Sequence, residues 1–189
     1  MRNQHTIRQP ISVQGIGIHL GQPAVVTLRP AAANSGRFFY TQGVKIPALS
    51  PYTRPSLRCT ALAKHNHIIH TPEHLLAALQ GLAIDNLEIE INGPEIPILD
   101  GSAKGWVAAI LQAGIQQQKQ PAVCFRPTAP LFFTASSSWL RISPAEHPKL
   151  TLHIDFPHPQ IGKQTASFQL VTRKGAHLDS PVAGPGILI

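Results

Sequence analysis

Glu73 and His74 are neighbours in the stretch Thr71-Pro72-Glu73-His74-Leu75-Leu76-Ala77-Ala78-Leu79. Together they offer two components of metal-assisted hydrolysis. A neutral imidazole is a good zinc ligand, and zinc lowers the pKa of a bound water from ~15.7 to about 7. A carboxylate beside that water can take its proton, which contributes about 10²–10⁴-fold in rate. Adjacent helical positions point about 100° apart, so a division of labour fits best, with His74 as ligand and Glu73 as base. On its own the pair is unspecific. A plain helix start uses the same residues, with a Glu that compensates the helix dipole and a His that packs or stays in water.

Other residues invite similar questions. His19 lies in Gly15-Ile16-Gly17-Ile18-His19-Leu20-Gly21, where three glycines let the backbone turn sharply or approach another group closely. The same placement suits a surface turn histidine. His65, His67 and His70 stand on a predicted turn and strand, not at zinc-finger spacing, and read as a solvated hairpin tip. The two cysteines, Cys59 and Cys124, make neither a disulfide framework nor a C-x-x-C motif.

The elements that must position these groups follow from pattern. Thr71 is suited to cap a helix, Pro72 to occupy its first position, and Gly81 to end it. Upstream, Thr6 to Pro30 reads as a β-hairpin, and Arg37-Phe38-Phe39-Tyr40 and Val44-Lys45-Ile46-Pro47 read as short strands. Arg58 to Ala63 and Ile68 to His70 make a second hairpin that leads into the helix. Asn86 to Asn92 has the cleanest period-2 alternation, with Leu87, Ile89 and Ile91 facing the core and Glu88 and Glu90 facing water. Gly93 to Leu99 is a rigid connector. Asp100 or Ser102 then caps a second helix from Ala103 to Gln112, closed near Gly114, with Trp106, Val107, Ile110 and Leu111 on its core face. The polar run Gln116 to Pro121 reads as an interdomain linker. Four further strands are expected, at Leu131 to Phe133, Trp139 to Ile142, Leu150 to Phe156 and Ser167 to Leu170.

A chain of 189 residues has room for one large domain, or for one domain and part of another. The net charge is +7, yet residues 71–105 carry six acids against the single base Lys104. A basic surface attracts phosphates, as in nucleic acid or a nucleotide-linked substrate. The bases are scattered, with no Lys/Arg block and no interleaved aromatics, so no nucleic-acid partner is expected. No apolar run reaches the roughly 18 residues of a membrane span, and the N-terminus lacks the apolar core of a secretory signal. The expectation is a soluble, cytoplasmic protein.

Several motifs occur together in one order: the glycine loop around His19, Arg58-Cys59-Thr60, the Thr71 to Leu79 stretch, Ile84-Asp85-Asn86, Gly93-Pro94-Glu95-Ile96-Pro97-Ile98-Leu99-Asp100-Gly101-Ser102-Ala103, and Ile154-Asp155-Phe156-Pro157-His158-Pro159. In that order they closely resemble the zinc-dependent UDP-3-O-acyl-N-acetylglucosamine deacetylases of lipid A biosynthesis, from about residue 5 to about residue 170. The resemblance implies an α+β fold of two similar domains, each a sheet with a pair of helices, the helices packed between the sheets. It implies a UDP-acyl-sugar substrate, a zinc cofactor, and hydrolysis of an acetamide to acetate and an amine. Carried over by motif, His74 is the first zinc ligand and Glu73 the general base, while His19 and Cys59 line or support the pocket. The family's further ligands, a His and an Asp, come from its second domain, as do a histidine acid and an oxyanion-stabilising Thr. None has a counterpart here. The expectation is therefore a first domain at 1–120, a partial second domain at 121–172 and an aberrant tail at 173–189. Such a chain is expected to be inactive alone, or to be a noncatalytic fragment that acts, if at all, through a partner.

Overall fold

The computed structural model describes residues 2–147 and 149–169. The tail expected at 173–189 lies outside them. Among the described residues, runs of mostly antiparallel strands are interrupted by two α-helices, so the chain is α+β. The described residues fall into two compact units, one running to Val123 and one starting at Cys124.

The first unit begins with β1 (Asn3–Ile7), β2 (Ile11–Ile16) and β3 (Pro23–Pro30), followed by β4 (Arg37–Thr41) and β5 (Val44–Pro47). Then come β6 (Thr53–Arg54), β7 (Ala61–Lys64), β8 (His67–His70), α1 (Glu73–Gly81), β9 (Leu87–Ile91), α2 (Lys104–Ala113) and β10 (Ile115–Pro121). A five-stranded sheet has the order β2-β3-β9-β4-β5. Its pairs are antiparallel except β4 with β9, which run parallel. The alternation in β9 does what its sequence requires. Leu87, Ile89 and Ile91 are buried, while Glu88 and Glu90 pair across the other face with Arg29 at 3.8 and 2.6 Å. A smaller antiparallel sheet, β6-β7-β8, leads directly into α1.

One apolar core joins these layers. Leu75 and Leu79 of α1 and Trp106 and Ile110 of α2 share it with Leu28, Phe39 and Ile89 of the sheet. Burying one such aliphatic side chain is worth about 1.5–3 kcal/mol. Val107 is only partly buried and Leu111 is exposed, so the inner face of α2 rests on Trp106, Ala109, Ile110 and Ala113 instead.

The expected linker Gln116 to Pro121 is part of a strand. β10 pairs antiparallel with β1, with Thr6 opposite Gln116 and Ile7 opposite Ile115. Polar composition hides it because backbone and amide hydrogen bonds define this ribbon, not an apolar face. Gln118 Nε2 donates to the Ala31 carbonyl at 2.9 Å, and its Oε1 accepts from buried Asn86 at 2.7 Å.

The second unit contains β11 (Leu131–Ala135), β12 (Ser138–Ile142), β13 (Lys149–Asp155) and β14 (Lys163–Gln169). They form two antiparallel hairpins, β11 with β12 and β13 with β14. The first three coincide closely with expected strands, and β14 overlaps the fourth only from Ser167, since it begins at Lys163. Their apolar side chains, among them Phe132, Phe133 and Trp139, stay largely exposed. Among the described residues no helix is long and apolar enough to cross a membrane.

Candidate active site

Helix α1 presents Glu73 and His74 in its first turn, both half-buried. Leu75, Ala78 and Leu79 on its inner face anchor it in the core. The helix N-terminus favours the negative charge of Glu73. Glu73 Oε2 also accepts the Thr60 amide at 3.4 Å, a long contact that ties the carboxylate to the strand entering the β7–β8 hairpin.

Cys59 adjoins the same region. Its thiol lies 3.0 Å from Ser56 Oγ and 4.0 Å from His70 Nδ1. Cys59 is half-buried and Cys124 is exposed, and both are free thiols. The sequence placed Cys59 by motif alone. The fold sets it against His70, a histidine that reads in sequence as part of a solvated hairpin tip.

Thr71 does not cap α1 as expected. Pro72 holds the cap position in helical conformation, and its carbonyl accepts the Leu76 amide at 2.9 Å. Thr71 instead adopts φ 59°, a left-handed conformation rare for a β-branched residue. Its amide donates to the Thr60 carbonyl at 3.0 Å, and its hydroxyl donates to Glu95 Oε1 at 2.9 Å. The reason lies in the acceptor. A bond to an ionised carboxylate is roughly twice as strong as one between neutral groups, so a buried Glu95 captures the hydroxyl that a lone helix would use as a cap. Asp100 and Ser102 also depart from simple capping. Asp100 Oδ1 accepts from the Ser102 amide and hydroxyl at 3.0 and 2.8 Å, while Ser102 Oγ accepts the Lys104 amide at 3.1 Å.

His19 is exposed on the turn between β2 and β3. The amides of His19 and Leu20 both point to Glu95: His19 N–H lies 3.0 Å from Oε1 and 3.2 Å from Oε2, and Leu20 N–H lies 2.8 Å from Oε2. Glu95 is 1% exposed. Burial pushes its carboxyl up, but the His19 and Leu20 amides, the Thr71 hydroxyl and the nearby His19 ring outweigh that, and the net shift is downward. Glu95 is the residue that sequence reasoning passed over. The available signal was an acid in the apolar run Pro94-Glu95-Ile96-Pro97-Ile98, where a charge without partners would be costly.

A catalytic zinc site normally takes three protein ligands. Among the described residues there is no group of three His, Cys, Asp or Glu side chains that could hold a metal. His74 fits one position of such a site, on a rigid helix beside a carboxylate, and the described residues do not complete the set.

Comparison with known proteins adds a relationship to this geometry. A family model described as UDP-3-O-acyl N-acetylglycosamine deacetylase matches residues 4–178. Curated relatives named UDP-3-O-acyl-N-acetylglucosamine deacetylase include one from Actinobacillus succinogenes, 41% identical over 175 residues. One from Bdellovibrio bacteriovorus is 41% identical over 174 residues, and one from Histophilus somni is 38% identical over 173. These alignments take in 88–90% of this chain, which spans 57% of the length of each relative.

Proposed function

Because the chain belongs to the UDP-3-O-acyl N-acetylglycosamine deacetylase family, we propose that Glu73 and His74 are its contribution to a zinc-dependent deacetylase site for a UDP-3-O-acyl-N-acetylglucosamine. The observation that carries this reading is their placement in the first turn of α1, half-buried and adjacent, on a helix locked into the core. His19 and Cys59 are assigned to the rim of the same pocket. Its place of action would be the cytoplasm.

Hydrolysis of an acetamide adds water to the carbonyl carbon and breaks the C–N bond, giving acetate and an amine. The water must lose a proton and the leaving nitrogen must gain one. Glu73 is the carboxylate suited to receive that proton, and the long contact from the Thr60 amide helps to orient it. His74 would hold one coordination position of the zinc, which when bound supplies the Lewis acid that lowers the pKa of a water. With one matched ligand, these 189 residues alone are expected to bind zinc weakly and to release no measurable acetate from the UDP-sugar.

Zinc titration of the isotope-labelled chain tests the assignment. The His74 imidazole resonances should shift first, and His74→Ala should abolish the effect without changing the shifts of the remaining histidines. A response confined to His65, His67 or His153 would overturn the reading. Near-stoichiometric zinc retained through mild chelation, together with acetate release, would refute the expected inactivity.

A further inference from the structure

We propose that Glu95 is a positioning residue, whose buried carboxylate locks the loop carrying His19 to the left-handed Thr71 that opens the Glu73–His74 turn. The functional meaning of this clamp rests on the deacetylase reading above, but its geometry does not. One oxygen, Oε1, accepts both the His19 amide at 3.0 Å and the Thr71 hydroxyl at 2.9 Å. The other accepts the Leu20 amide at 2.8 Å. Two segments remote from each other in sequence therefore meet on a single side chain.

The backbone around Glu95 is fastened on both sides. On one side the His70 amide donates to the Pro94 carbonyl at 2.9 Å, and the Ile96 amide donates to the His70 carbonyl at 3.0 Å. On the other, the Ile98 amide donates to the Ile16 carbonyl at 3.1 Å. The connector 93–99 thus runs between the end of β8, which leads into Thr71, and the end of β2, which leads into the His19 loop. Gly17 leaves room for the carboxylate. A Cβ there would overlap Glu95 Oε2 and stand 2.5 Å from its carboxyl carbon. The glycine, the acid and the strained threonine form one unit, and a residue in the left-handed region persists where its surroundings over-determine it.

The clamp predicts that disturbing Glu95 moves two distant places together. In the full 189-residue chain without zinc, Glu95→Gln should speed exchange of the His19 and Leu20 amides about tenfold or more, the order expected for losing a bond to a charged acceptor. The intraresidue HN–Hα NOE of Thr71, strong at positive φ, should weaken in the same variant, while amides of Val26 and Ile89 in the sheet keep their protection. Gly17→Ala should do the same without touching the acid. Combining it with Glu95→Asp, one methylene shorter, should restore part of the protection, so the pair is non-additive. These variants decide the matter even where Glu95→Ala fails to fold. A further arm measures the zinc-induced His74 shift, which should need several-fold more zinc in Glu95→Gln.

An unchanged Thr71 intraresidue NOE in both Glu95→Gln and Gly17→Ala would overturn the proposal. So would loss of protection spread evenly over Val26 and Ile89, because that reports general destabilisation. If wild-type His74 does not respond to zinc, the site assignment fails, while the exchange and NOE arms still judge the clamp.

Discussion

Replacing Thr71 by Val and by Ser separates its hydroxyl from its shape. Thr71 is 2% exposed and Glu95 1%, so no solvent stands ready to replace a lost hydroxyl. Val keeps the β-branch and removes the donor to Glu95 Oε1, which retains only the His19 amide. A hydrogen bond to a charged group contributes about 1.5–3 kcal/mol. The left-handed φ of 59° continues to cost about 1–3 kcal/mol in Val, so nothing offsets the loss. Ser keeps the donor; losing its buried γ-methyl costs up to about 1 kcal/mol, which relief of crowding at that φ partly offsets. The two variants should therefore differ by roughly 2 kcal/mol. With a urea m-value of about 2 kcal/mol/M, midpoints would be about 1 M apart at constant m. Urea unfolding followed by tryptophan fluorescence, in a Trp139→Phe background that leaves buried Trp106 as the reporter, would read the difference. Equal midpoints for the two variants, or a Val variant more stable than the Ser variant, would refute the claim that this hydroxyl holds the turn through Glu95.

Three more outcomes are expected. Asn86→Leu should cost about 2–4 kcal/mol, because it leaves the Gly36 backbone amide and the side-chain Oε1 atoms of Gln4 and Gln118 without this buried partner; thermal melts would show the loss, and protection of the β1–β10 amides should fall most. Leu79→Ala should cost about 2–5 kcal/mol through the cavity it opens in the core between the helices and the sheet, and a loss below about 1 kcal/mol would mean that α1 is not anchored there. Stability should also fall in acid. Burial raises the carboxyl of Asp85, but the paired Arg2 and the His5 amide carry it below the usual range, and Glu95 is likewise depressed. A carboxylate with a depressed folded pKa contributes fully above its unfolded pKa of about 4, and the contribution is lost as pH falls through the lower folded value. Urea midpoints should accordingly be flat from about pH 7 to about 5 and decline below about 4, less steeply in Arg2→Ala.

The sequence alone determined those elements whose signal is local. Leu87, Ile89 and Ile91 alternate in β9, and one buried face demands that period. Apolar residues at helical spacing around Leu75 and Leu79, and around Trp106 and Ile110, placed both helices to within a few residues. The motif order also identified the family and brought Glu73, His74, His19 and Cys59 forward as candidates. Tertiary structure decided the rest, because the deciding partners are remote in sequence. Gln116 to Pro121 became a strand only because β1 lay beside it to satisfy its backbone. Thr71 gave up its capping role only because Glu95, 24 positions later, offered it a buried charge. His19, surface-like in its own turn, came under the same carboxylate through its amide, with Gly17 leaving the space. Local pattern reports the phase of an apolar face and the preferences of a helix end. It carries no record of which buried polar group will claim a given donor, and that choice links the His19 loop to the turn that presents Glu73 and His74.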